Sequence, residues 1–138
     1  MEYWLMKSEP STWSWENQIK VGAKGEGWDG VRNYQASNNM KRMKKGDLCF
    51  FYHSVKERDI IGIVKVKNEY HPDPTDTSER FGMVTVVAVK TLKNRVNLDQ
   101  IKNDKRLSHL ALVKQSRLSV MPIDAKSWKI ICNLGGVK

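Results

Sequence analysis

The sequence predicts an α+β fold, a small mixed β barrel flanked by short helices. Two observations carry this. Asp47 to Ser54 sets Leu48, Phe50 and Tyr52 on one face and Cys49, Phe51 and His53 on the other. Both faces are therefore largely apolar, the mark of a strand buried from two sides, as in a closed barrel. Between such stretches lie short segments with helical spacing and capping residues, and no repeat, linker or low-complexity run divides the chain. The 138 residues read as a single domain over 1–138, long enough to bury a core.

Taken in order, Glu2 to Met6 predicts a first strand, stopped by Ser8-Glu9-Pro10 because proline cannot donate to a ladder. Trp13 to Val21 predicts a short helix with Ser14 as N-cap and Gly22 as its stop, Trp15 and Ile19 sharing one buried face. Gly22 to Gly27 reads as a flexible lead; it lacks the Gly-Lys-Ser/Thr ending of a phosphate loop. Tyr34 to Met43 has helical spacing, with Ala36, Met40 and Met43 inward. Asn38-Asn39 lowers its intrinsic propensity, so this helix is expected to lean on tertiary contacts.

Asp59 to Val66 predicts the antiparallel partner of the Asp47–Ser54 strand, and Gly62 in its middle suggests a bulge or bend. The run His71-Pro72-Asp73-Pro74-Thr75-Asp76 reads as a loop, and its acidic content lacks the order of an EF-hand. Gly82 to Leu92 is the third long strand; 98–102 and 107–113 read as short helical pieces. Arg117 to Ile123 predicts a last strand, and Asp124 caps a helix to Leu134 with Ala125, Trp128, Ile131 and Cys132 on one stripe.

The 40% hydrophobic and 28% charged fractions are those of a globular chain, and no apolar run approaches the ~20 residues of a membrane helix. No basic n-region or cleavage site marks the start as a signal peptide. A net charge of +9 points to a polyanionic partner, although a solvated lysine surface would give the same number. Cys49 and Cys132 sit in apolar surroundings and read as buried thiols, which favours a reducing compartment; a bacterial cytoplasm is the simplest expectation. His53, His71 and His109 are scattered, so neither a metal nor a cofactor is expected.

The stretch richest in chemistry is Trp28 to Asn39. Two aromatics stand among Asp29, Arg32, Asn33, Gln35, Asn38 and Asn39, and the basic run Lys41, Arg42, Lys44 and Lys45 follows. A flat aromatic surface, an amide and a guanidinium suit the face and edge of a nucleobase, while the basic side chains, Arg32 included, suit phosphate. The plainer alternative is a loop entering a helix, with Trp28 and Tyr34 as core anchors. Catalysis finds little support. Ser54 follows His53 directly, and neighbours on a strand point to opposite faces. No hydrolase, metalloprotease or cofactor fingerprint appears.

Several segments carry a resemblance. Tyr3-Trp4-Leu5-Met6-Lys7-Ser8-Glu9-Pro10, Trp13-Ser14-Trp15, Trp28 to Ala36, Gly46-Asp47 into Phe50 to Ser54, Pro72 to Asp76, and Gln115 to Pro122 resemble the EVE domain family in order along nearly the whole chain. That family belongs to the PUA-like superfamily and is similar to the YTH domains that read methylated adenine in RNA. The resemblance implies a PUA-like β pseudobarrel and a non-catalytic reader of modified bases, chiefly modified cytosine in DNA, held flipped out in a pocket. It implies Trp28 as the stacking wall and Asn33 as the amide on the base edge, with Tyr34, Ser8, Tyr52 and His53 as further lining. Arg117 and Ser119 are implied to face the pocket or the backbone. An RNA-binding module and a protein-docking module that uses the basic faces stay open beside it.

Overall fold

The computed structural model describes residues 1–137. Six strands form one mixed sheet: β1 (Tyr3–Ser8), β2 (Glu26–Gly27), β3 (Leu48–His53), β4 (Asp59–Pro72), β5 (Gly82–Asn97) and β6 (Val120–Ile123). Five helices accompany it: α1 (Trp15–Lys20), α2 (Tyr34–Arg42), α3 (Leu98–Lys102), α4 (Ala111–Lys114) and α5 (Ala125–Leu134). The class is α+β, as the sequence predicts.

The strands lie in the order β2-β5-β4-β3-β1-β6, so the ladder is open between β2 and β6. A barrel closed by strand pairing, the expectation from β3, is therefore replaced by a curled sheet. Helix α2 touches β6 near one end and β4 and β5 near the other, and so occupies the gap. Asn39 Nδ2 donates to Val120 O at 2.7 Å, which ties this low-propensity helix to β6.

β1 and β3 are parallel, with Ser8 beside His53 at their shared C-terminal end. Parallel neighbours need a crossover. Here it spans residues 9–47 and carries α1, β2 and α2, so the crossover returns over the end of the pair. Side chains sort by register. Tyr3, Leu5, Lys7, Leu48, Phe50 and Tyr52 face one way, where Trp128 of α5 stacks on Phe50 at 3.9 Å and on Tyr3 at 4.5 Å. Trp4, Met6, Ser8, Cys49, Phe51 and His53 face the other, where Trp15 of α1 meets Phe51 edge-on at 5.2 Å.

Gly62 has the packing reason its mid-strand position suggests. A Cβ there would lie 2.3 Å from Trp15 Cζ2, and the β3–β4 register shifts between Phe51 and Tyr52. On α1 the expected inward Ile19 is instead 49% exposed, and Gln18 is fully buried. Gln18 accepts from Trp13 Nε1 at 2.9 Å and donates to Val86 O at 3.1 Å. Two hydrogen bonds offset the desolvation that pattern reading holds against a buried amide.

β4 and β5 run past their predicted ends at Val66 and Leu92, because main-chain pairing continues through exposed polar residues that have no apolar period. The flexible lead at 22–27 is in fact ordered. Gly25, at φ 74°, brings its Cα so close to β5 that a Cβ would lie 2.7 Å from Val86 O, and β2 pairs there. The last strand is shorter than predicted and starts at Val120. Cys49 and Cys132 are both buried free thiols.

Candidate functional site

The end of β1 and the segment from β2 to Asp29 enclose a cleft of about 410 Å³. Its walls include Lys7, Ser8, Trp13, Glu26, Trp28 and Asp29. The turn at Ser8-Glu9-Pro10 reverses the chain, and Ser8 Oγ donates to Trp13 O at 2.5 Å, which holds Trp13 beside β1. Trp13 is fixed again by its indole N–H on the buried Gln18. Trp28 N donates to Val84 O at 2.8 Å, and the indole stands edge-to-face on Phe51 at 5.5 Å, leaving 7% of the residue exposed. Both aromatic walls are thus set by the core.

The loop after Trp28 is clasped by the β4–β5 connection. Gly30 turns at φ 78° and donates its N–H to Asp73 Oδ2 at 2.9 Å. Arg32 reaches the same oxygen at 3.1 Å and Thr75 Oγ1 at 3.0 Å. Burial works to raise the Asp73 pKa, but the bonds from Thr75, Gly30 and Arg32 outweigh it and hold the carboxyl below its usual range. Arg32, expected to meet phosphate, is therefore partly committed to holding the loop.

Three carboxylates, Glu9, Glu26 and Asp29, line the cleft; Lys7 borders it too, but its ammonium lies on the other face of β1, on Ser116 O at 2.9 Å. Burial and then the Asp29 charge push the Glu26 pKa up, with Lys24 opposing. Burial lowers the Lys7 pKa. The cleft is thus a hydrogen-bond-accepting slot with aromatic walls, suited to a flat ligand edge that carries N–H donors and unsuited to a phosphate.

Of the residues singled out from the sequence, the structure brings Ser8 and Trp28 together here. Asn33 lies outside, as the N-cap of α2, its Oδ1 accepting from Ala36 N at 2.9 Å. Tyr34 is 59% exposed and leans on Phe81 at 4.9 Å. His53 is buried below α1, where its Nε2 accepts the Trp15 N–H at 3.0 Å. Tyr52, Arg117 and Ser119 line a different cavity, on the other face of β1 and β3. Lys41 sits over the Tyr70 ring and Arg42 over Trp4. Lys44 and Lys45 lie before β3, at the end of the sheet away from the cleft.

Sequence reasoning did not single out Trp13 or Glu26 as site residues. The turn at Ser8-Glu9-Pro10 was a signal for Trp13, since a reversal there returns the chain to β1. Glu26 had none, because its placement depends on β2. Among the described residues no cluster of His, Cys, Asp and Glu is arranged to hold a metal, and no helix is long and apolar enough to cross a membrane.

Residues 2–134 match the sequence profile of the EVE domain. The chain belongs to the EVE domain family. Thymocyte nuclear protein 1 of Rattus norvegicus is 32% identical over 164 residues, covering 96% of this chain and 73% of that protein. A crystal structure of an Agrobacterium tumefaciens protein superposes with a TM-score of 0.97 at 44% identity, covering 99% of this EVE domain and 94% of that chain. Human THYN1, solved in complex with DNA containing 5-methylcytosine, is 30% identical with a TM-score of 0.93, covering 100% of this chain and 99% of its own. A Zygosaccharomyces rouxii YTH domain, solved with N6-methyladenosine RNA, has a TM-score of 0.58 at 18% identity, covers 99% of this chain and 88% of its own, and shares the fold alone.

Proposed function

We propose that this EVE domain binds a modified nucleobase, chiefly modified cytosine in DNA, in the cleft between Ser8 and Trp28 and leaves it chemically unchanged. The observation that carries this is the cleft itself, with core-fixed Trp13 and Trp28 as walls and carboxylates at its rim. The complex of the human relative supports the ligand class. An indole wall stacks on any base, whereas the exocyclic amino group of cytosine is a donor that a carboxylate accepts. Asp29, exposed at the rim, and Glu26 supply that acceptor; Ser8 Oγ keeps a lone pair free while donating to Trp13 O.

A base inside a duplex cannot reach such a slot, so the ligand is a flipped or single-stranded nucleotide. The carboxylates disfavour phosphate inside and keep the backbone at the rim. Turnover would need a nucleophile with a base in reach. Ser8 Oγ bonds a carbonyl, and the Nε2 lone pair of His53 is taken by Trp15 N–H.

The test is a panel of single- and double-stranded oligonucleotides carrying cytosine or 5-methylcytosine, measured by anisotropy at fixed salt. Wild type should prefer the modified base, and Asp29→Asn should weaken binding of cytosine-type bases by about 1–3 kcal/mol. Recovered nucleosides should have unchanged mass. Affinity indifferent to Asp29→Asn and to base identity would overturn the reading.

A further inference from the structure

On the opposite face of β1 and β3 lies a second cavity, of about 430 Å³, between the β3–β4 turn, α3, α4 and the segment before β6. Four cations line it, Lys7, Arg58, Lys102 and Arg117, and no carboxylate does. None of the four is in an ion pair among the described residues, where the salt bridges belong to Arg32, His53, Arg95, Arg106 and His109. Lys7 spends one of its three N–H donors on Ser116 O at 2.9 Å and stands 5.6 Å from the centre of the Tyr52 ring.

Tyr52 is the second, independent observation. The residue is only 2% exposed and lines the cavity, where its hydroxyl is open to solvent and engaged by no other group among the described residues. The ring is held in the core while the hydroxyl at its tip stays free to donate into the cavity. Burial, together with Asp59 and against Arg58, pushes its pKa up to about 12, so it stays a neutral donor. The hydroxyls of Ser54, Ser116 and Ser119 add further donors, while Leu98, Leu112 and Val113 form an apolar wall that strengthens charge attraction by excluding water. At the mouth, Val55 holds φ 73°, a region a β-branched residue rarely enters, and is 62% exposed.

We propose that this cavity is a phosphate-binding pocket, in which Arg58, Lys102 and Arg117 carry the charge and Tyr52 donates its hydroxyl to a phosphate oxygen. Phosphate fits better than a carboxylate: donors converge from several elements, and only a tetrahedral anion offers acceptors in several directions with a charge above one. The phosphate can be free, as inorganic phosphate, or belong to a nucleic-acid strand. Lys7 lines both this pocket and the base cleft, so a strand crossing the end of β1 meets both. Only the strand-borne source rests on the base-binding reading.

The experiment titrates inorganic phosphate into the folded chain at constant ionic strength and follows amide NMR shifts. Saturable shifts are expected at Ser54, Val55, Ser116 and Ser119 and not at Asp29. Arg58→Gln with Lys102→Gln, both at exposed positions, should weaken this binding about tenfold or more. Tyr52→Phe keeps the ring and should weaken it severalfold at an unchanged melting temperature. A cytosine-containing oligonucleotide then separates the sources: displacement by phosphate in wild type but not in the double variant assigns a strand phosphate, and simultaneous binding assigns a free anion. Asp29→Asn should leave the phosphate titration untouched, so failure of the base-cleft reading is visible separately. Shifts that never saturate, or saturate identically in both pocket variants, would overturn the pocket.

Discussion

At Trp28, stability and the proposed base recognition would draw on the same side chain. The indole is 7% exposed and packs on Phe51, so Trp28→Ala should cost about 3–5 kcal/mol of folding stability through the cavity it leaves. Trp28→Phe keeps most of the packing and is the informative variant. It should lower affinity for every base that enters the cleft while keeping the preference among them, since stacking is indifferent to base identity. Wild-type affinity in a folded Trp28→Phe protein would move the wall to Trp13. His53 shows a different coupling. Its Nε2 accepts from Trp15 N–H, so the ring proton sits on Nδ1, 3.5 Å from Glu57 Oε2. Burial lowers its pKa, with Glu57 opposing. A depressed histidine pKa means the unfolded chain takes up the proton first. The stability it contributes is therefore present above the unfolded value of about 6.5 and lost as pH falls from there toward the folded pKa. The melting temperature should drop more between pH 7 and pH 5 in wild type than in His53→Gln; equal drops would show that other groups dominate.

At the scale of elements, Gly62 decides how α1 docks. Any side chain there meets the Trp15 ring, so Gly62→Ala should cost about 1–3 kcal/mol by overpacking, read as a lower urea midpoint at constant m-value. Trp15→Phe in the same chain should recover part of the loss, and strictly additive effects would mean that the two do not compete for space. Gly62 is also a measure of what the sequence discloses. Its mid-strand position announced a bulge, and the two apolar faces of β3 announced burial from both sides, because both signals are local. The caps Ser14 and Asp124 were legible for the same reason. What was not legible depends on distant partners: Gln18 turned inward by Val86 and Trp13, β2 created by the approach of Gly25 to β5, and the exposed continuation of β4 and β5. The site divides likewise. Ser8 and Trp28 share a cleft, but Asn33 sits at the start of a helix, where an asparagine side chain caps the backbone. That role looks the same in sequence as a base-reading amide. Tyr52 and His53 are neighbours on one strand, so the pleat sends them to opposite faces and to different surroundings.

Across the whole molecule, the +9 charge is unevenly distributed relative to the cleft. The cleft at Ser8 and Trp28 is acidic, the cavity behind β1 and β3 is cationic, and Lys44 and Lys45 project at the start of β3. At about 3.3 Å per residue, the six residues of β3 put roughly 17 Å between those lysines and the strand end beside the cleft. That exceeds the screening length of about 8 Å at physiological salt, so the two lysines do not act on a base in the cleft. On the proposed reading they would act instead on a backbone long enough to span the sheet. Lys44→Gln with Lys45→Gln should therefore weaken modified and unmodified duplexes equally, lowering the salt slope by about 0.9 for each phosphate that is no longer neutralised. The preference for the modified base should not change. A duplex too short to reach from the cleft to the start of β3 should show wild-type affinity in this double variant. Weaker binding of the short duplex would place the phosphate track elsewhere, and an unchanged slope on long DNA would leave the two lysines as a solvated surface.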